Sequence, residues 1–192
     1  MAGRRRAIMF AFVAQVLLMS TSATPASAES PVALADLEWI VVNANVMGGR
    51  SEGGFETDNG ELGFAGSTNT NGGGFSSIRS RPVQADLSAF EGIQLRVRGD
   101  GRRYTWRLTT DARWMGREVA YWADFETVKD SWTTVEIPFS RFVPRFRGAR
   151  LPGPKLEPGK ITGMGLMIYD GKDGPFELRL APVGAYPGAS AD

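Results

Sequence analysis

Ile93-Gln94-Leu95-Arg96-Val97-Arg98-Gly99-Asp100-Gly101-Arg102-Arg103-Tyr104-Thr105-Trp106-Arg107-Leu108-Thr109 decides the fold class. Two runs alternate apolar and polar residues, and a Gly-Asp-Gly turn separates them. Ile93, Leu95 and Val97 share one face, with Gln94, Arg96 and Arg98 on the other. Tyr104, Trp106 and Leu108 are likewise opposed by Arg103, Thr105, Arg107 and Thr109. A period of two belongs to a strand that buries one face and solvates the other. Gly99-Asp100-Gly101 reads as a hairpin turn between them.

The same chemistry recurs outward along the chain. Trp39–Val42, Leu62–Ala65, Phe75–Arg81, Arg117–Phe125, Trp132–Ile137, Ile161–Ile168 and Phe176–Val183 are short apolar, β-branched or aromatic runs. Gly, Pro, Asp and Asn bound them, so the spacing predicts about nine strands. Helical periodicity is scarce. The expectation is an all-β chain folded as an antiparallel β-sandwich of jelly-roll type. Asp170 to Gly174 reads as a second hairpin turn. Pro138 to Pro158 is the longest interruption, and its Phe139, Phe142, Val143 and Phe146 are expected to cap one end. Trp39, Trp106 and Trp132 sit at apolar positions and are expected in the core. Trp114-Met115 is expected at a hairpin tip.

The 192 residues suffice for one domain with its own core. There is no cysteine, so no disulfide reinforces that core. There is no histidine, which excludes Ser-His-Asp and Cys-His catalysis and histidine-based metal sites. Neither a metal nor a cofactor is expected.

Arg4-Arg5-Arg6, the apolar run from Ala7 to Met19, and a small-residue stretch ending Ala26-Ser27-Ala28 have the order of a secretory signal peptide. Cleavage is expected after Ala28, with a periplasmic or secreted location. An organelle transit peptide and an uncut anchor are the alternatives. The domain expected is 29–186, followed by a loose tail at 187–192. The 22 basic residues less those three arginines leave 19 against 21 acidic. A near-neutral chain without a basic run gives no footing for nucleic acid or for a polybasic membrane contact.

Two glycine-rich turns precede the alternating runs, at Asn43 to Ser51 and at Asn71 to Arg79. Neither has the Gly-Lys-Ser/Thr of a phosphate loop. Dense glycine answers a backbone demand first. The functional alternative is a recognition rim of Asn43, Asn45, Met47, Ser51 and Asn71. The polar faces of the alternating strands, taken as neighbours, gather Arg96, Arg98, Arg107, Glu118, Trp122 and Asp124, with Arg79 joining from its own strand. Arg and Trp are enriched at binding hot spots. Alternatively, a loop such as Pro138–Pro158 covers Trp122. The acids Asp111, Asp124, Glu126, Asp130, Asp170 and Asp173 show no pairing of the kind glycoside hydrolysis uses. No catalytic residue is assigned.

These stretches resemble the CIA30 family, complex I intermediate-associated protein 30. The resemblance rests on Trp39 with Val42-Asn43-Ala44-Asn45-Val46-Met47-Gly48-Gly49-Arg50-Ser51, on Asn71-Gly72-Gly73-Gly74-Phe75-Ser76-Ser77-Ile78-Arg79, and on Arg98-Gly99-Asp100-Gly101-Arg102-Arg103-Tyr104. Trp132, Ile137 to Ser140, Phe142 and Gly174 to Leu178 extend it. Two positions depart: Ala44 stands where the family has Asp, and Gly72 where it has a second Asn. The resemblance implies a galactose-binding-like jelly roll. It also implies a non-enzymatic assembly factor whose partner is a protein, such as a membrane-complex subunit. It carries over no catalytic residue or cofactor. A carbohydrate-binding module that takes a polysaccharide is the alternative.

Overall fold

A computed structural model describes residues 37–188. The signal-peptide expectation falls on residues outside that range, as do the last four residues of the expected tail. The described residues form thirteen strands divided between two antiparallel sheets. The first sheet holds β1 (Trp39–Asn43), β4 (Ser76–Ser80), β6 (Arg103–Trp114), β7 (Arg117–Glu126), β9 (Val143–Phe146), β10 (Ala149–Arg150) and β11 (Ile161–Ile168). Their order across the sheet is β1-β4-β11-β6-β7-β9-β10. The second holds β2 (Glu52–Asp58), β3 (Glu61–Thr68), β5 (Gly92–Gly99), β8 (Trp132–Pro138), β12 (Gly174–Leu180) and β13 (Gly184–Tyr186). Here β8 and β12 flank β5, then come β3 and β2, while β13 pairs with the start of β5. This is an antiparallel jelly-roll sandwich, as the alternation predicts.

The core lies between the sheets. Ile93, Leu95 and Val97 of β5, Phe64 of β3 and Leu178 of β12 meet Tyr104, Trp106 and Leu108 of β6, Tyr121 of β7 and Ile78 of β4. All of these are fully buried. Each such side chain contributes about 1.5–3 kcal/mol by leaving water. The inner face of every alternating strand is the one its sequence marked.

Two turns are not hairpins. Gly99-Asp100-Gly101 carries the chain from β5 in one sheet to β6 in the other, and Asp170 to Gly174 does the same between β11 and β12. A turn's glycines fix its local path but not the sheet that the next strand joins. Tight two-residue hairpins stand at Asn59-Gly60, at Met115-Gly116 and at Arg147-Gly148, each with positive φ at both residues, and Met115 is exposed. Of the four residues expected to cap the sandwich from Pro138 to Pro158, Phe139 and Phe142 pack against the core and Val143 and Phe146 stand on an added strand. The segment adds β9 to the edge of β7, while Phe142 is buried in the core. Trp132 is not in the core either. It pairs with Arg98 on the outer face of β5–β8, and the Arg96 guanidinium lies 5.6 Å from its ring.

Candidate functional site

The registers line up one transverse row on the outer face of the seven-stranded sheet. Ile40 stands opposite Arg79, Arg79 opposite Gly165, Gly165 opposite Arg107, Arg107 opposite Trp122, and Trp122 opposite Val143. Six strands therefore fix one line of side chains. Gly165 is the floor between the two arginines. A Cβ there would lie 3.5 Å from Arg79 Cγ and 3.6 Å from Arg107 Cβ. Without one, no side chain separates the two arginine stems at this position.

The row is unevenly neutralised. Arg107 Nη2 reaches Glu118 Oε1 at 3.4 Å, and Glu118 also faces Arg113 at 3.9 Å. Burial pushes the Arg107 guanidinium down to about 10, and the charge of Arg79 adds to this against the pull of Glu118. Burial also lowers Arg79. Both stay protonated at neutral pH. Among the described residues, no acceptor lies within reach of the buried Nε of Arg79, Nε1 of Trp122 or Nε of Arg145.

Trp122 is half-buried. Arg145 of β9 lies over its ring at 5.3 Å, and Tyr169 meets it edge-on at 6.4 Å. So the Pro138–Pro158 segment does cover part of Trp122, through Arg145 of its strand β9. A cleft of about 360 Å3 opens here, walled by Phe75, Met167 and Tyr169 with Arg79, Trp122 and Arg147. Tyr169 and Arg145 belong to this site but were not singled out in the sequence. Tyr169 follows the last residue of β11, outside any alternating pattern, and β9 is only four residues long.

The other expected residues are placed as follows. Asp124 shares the outer face through Thr105, whose hydroxyl donates to Asp124 Oδ1 at 2.6 Å. Arg96 lies on the opposite sheet, with Arg98. Asn43 and Ser51 are tied into the scaffold. Asn43 Nδ2 donates to the Gly53 carbonyl at 3.1 Å, and Asn43 Oδ1 accepts from Ser76 at 2.6 Å. The Ser51 hydroxyl donates to the Asn69 carbonyl at 3.2 Å and accepts from the Asn69 N–H at 2.9 Å. Asn45 and Asn71 are exposed. Met47 ends a short 3-10 turn, and its side chain lies outside the described ones.

The two glycine turns pack on each other. A Cβ on Gly49 would stand 2.6 Å from both the Gly72 carbonyl oxygen and Ala44 Cβ. Gly72 itself has φ +91°. Ala44, fully buried, fills the space between the turns.

The family described as Complex I intermediate-associated protein 30 (CIA30) matches residues 28–180. The chain belongs to the CIA30 family. The mouse protein named Complex I intermediate-associated protein 30, mitochondrial, is 33% identical over 110 residues, covering 55% of this chain and 33% of that protein. The Drosophila melanogaster protein of the same name is 27% identical over 124 residues, covering 58% and 42%. The chain thus matches less than half the length of these CIA30 relatives. Among solved structures, the family 11 carbohydrate-binding module of a cellulosomal cellulase from Clostridium thermocellum superposes with a TM-score of 0.59. It is 15% identical, over 81% of this chain and 89% of that one, which shows a shared fold.

One expectation is overturned here. Both CIA30 relatives are named as mitochondrial, which points away from a periplasmic or secreted location. An n-, h- and c-region order is generic enough to arise in other amino-terminal segments, so it does not outweigh the family.

Proposed function

We propose that this CIA30 domain is a non-catalytic binding module of assembly-factor type, holding a protein partner from a membrane complex on the outer face of the seven-stranded sheet. The observation that carries this reading is the Arg79–Arg107–Trp122 row. Arginine and tryptophan dominate protein hot spots, and rigid strands present them at little entropic cost. Family membership supports the class of partner, since the named relatives are complex I intermediate-associated proteins. Asn45 and Asn71 would border this surface as a polar rim.

A carbohydrate is the second reading, supported by the shared fold with a carbohydrate-binding module and by half-exposed Tyr169. The arrangement of Trp122 weighs against it. Arg145 occupies a face of the indole and Tyr169 meets it edge-on, so Trp122 offers no flat platform for a sugar ring.

Pull-downs from detergent-solubilised membranes test the reading. The wild-type chain is expected to recover subunits of one membrane complex, and a folded Arg107→Ala/Trp122→Ala variant to lose them. Equal recovery by both would remove this surface. Oligosaccharide binding on a glycan array, without any recovered protein, would favour the second reading.

A further inference from the structure

We propose that the paired guanidiniums of Arg79 and Arg107 over Gly165 form a carboxylate subsite, occupied by a Glu or Asp side chain of an acidic, aromatic-bearing segment of the protein partner. This rests on the protein-binding reading above and adds the chemistry of the segment. Three observations converge on it. The row brings two arginines together at one glycine, and Glu118 is the acid that pairs with Arg107. Like charges held together raise each other's cost, and an anion that joins them relieves it. Three of the five buried side-chain N–H groups without an acceptor among the described residues gather here, on Arg79, Trp122 and Arg145, and two of the three are cationic. A carboxylate accepts from such donors and carries none of its own. A neutral sugar hydroxyl would bring a donor into a site that already has too many.

The wall beside the pair sets the rest of the ligand. Phe75, Met167 and Tyr169 give the cleft an apolar side next to Arg79, the member of the pair that lines it. An aromatic or aliphatic residue adjacent to the acid would lie against that wall. Arg147 lines the same cleft, so a second acid in the segment has a cation to face.

The test uses the full chain on a peptide array. Each peptide with Glu or Asp beside Phe or Leu stands next to its Gln or Asn twin, and oligogalacturonate and cellotetraose occupy further wells. Acidic peptides are expected to retain the chain about tenfold or more above their amide twins, since charge-assisted hydrogen bonds are lost in the twin. Arg79→Gln and Arg107→Gln should erase that preference, while Arg98→Gln on the other sheet should keep it. Thermal unfolding checks that the variants fold. If Arg107→Gln does not fold, Arg107→Lys keeps the charge and should still lose much of the preference, because an ammonium cannot make the planar fork. Equal retention on acidic and amide twins, lost in Trp122→Ala, would overturn the carboxylate subsite and leave the protein-binding reading standing. Retention on cellotetraose or oligogalacturonate alone would overturn both. No retention on any well would overturn the subsite.

Discussion

Arg102 meets Asp170 fork to fork: Nε donates to Oδ2 at 3.0 Å and Nη2 to Oδ1 at 2.7 Å. The pair joins the β5–β6 crossover to the β11–β12 crossover. The same guanidinium donates to the carbonyls of Gly174, Pro175 and Lys172 and to the Thr68 hydroxyl, at 2.8–3.0 Å. The Asp100 carboxylate adds one acceptor nearby, its Oδ2. It takes the Tyr104 hydroxyl at 3.0 Å and the Glu177 N–H at 2.9 Å. One arginine thus satisfies the polar backbone of the end where both sheets exchange strands.

Arg102→Ala should therefore be among the most destabilising substitutions. The side chains of Arg102 and Asp170 are 12% and 2% exposed. Removing one partner of a buried pair costs about 3–5 kcal/mol. Arg102→Lys should recover only part of this, because an ammonium cannot make the fork. Arg81→Ala breaks an exposed pair with Glu38 and should cost under about 1 kcal/mol. Urea unfolding of the three variants measures the contrast.

Stability should fall in acid. Burial pushes the Asp170 carboxyl up. The Arg102 hydrogen bond, the Lys172 N–H and the Arg102 charge together outweigh this and hold it below its ordinary value. A carboxyl lowered in the folded state contributes stability above its unfolded value of about 3.9. That contribution is lost as pH falls through the folded value. Denaturant midpoints should thus drop below about pH 4, and in Asp170→Asn this component of the drop should be missing.

Gly49→Ala should destabilise by about 1–3 kcal/mol, as overpacking against backbone does. Its added carbon would strike Ala44 and the Gly72 carbonyl, and neither is a flexible side-chain end. Gly54→Ala on β2 meets nothing within 4 Å and should be neutral or slightly stabilising. Thermal denaturation of the pair separates close approach from mere glycine content.

Arg96→Ala should leave partner binding unchanged. Its contact with Trp132 lies on the opposite sheet and is exposed, so its loss should cost about 0.5–1 kcal/mol of stability. A loss of binding in this variant, measured by the same pull-down as Arg107→Ala, would move the interface to the wrong face.

The legibility of the sequence followed its local physics. β5, β6 and β7 were readable because each alternates across a buried inner face, in β6 as far as the irregularity after Thr109. β2 was missed: Glu52-Gly-Gly-Phe-Glu-Thr-Asp58 is an edge strand with little to bury and weak strand propensity. β9, β10 and β13 are too short to show a period. Arg79, Arg107 and Trp122 could be grouped because they sit on polar faces of strong strands. Arg96 was grouped with them because a Gly-Asp-Gly turn reads as a hairpin, and sheet membership is a long-range property. Arg102 went unnoticed as a clamp, although it stands inside the Arg98 to Tyr104 motif. Its six acceptors come from two distant segments, Thr68 and Asp170 to Pro175, and no spacing announces them.

Site-specific photo-crosslinking tests the central claim most directly. Tyr169→p-benzoylphenylalanine places a reactive group beside Trp122, and Arg96→p-benzoylphenylalanine places one on the opposite sheet. Irradiation in the native host should join position 169 to a subunit of a membrane complex and leave position 96 without that adduct. The same adduct at equal yield from both positions, or from position 96 alone, would contradict binding through the Arg79–Arg107–Trp122 face.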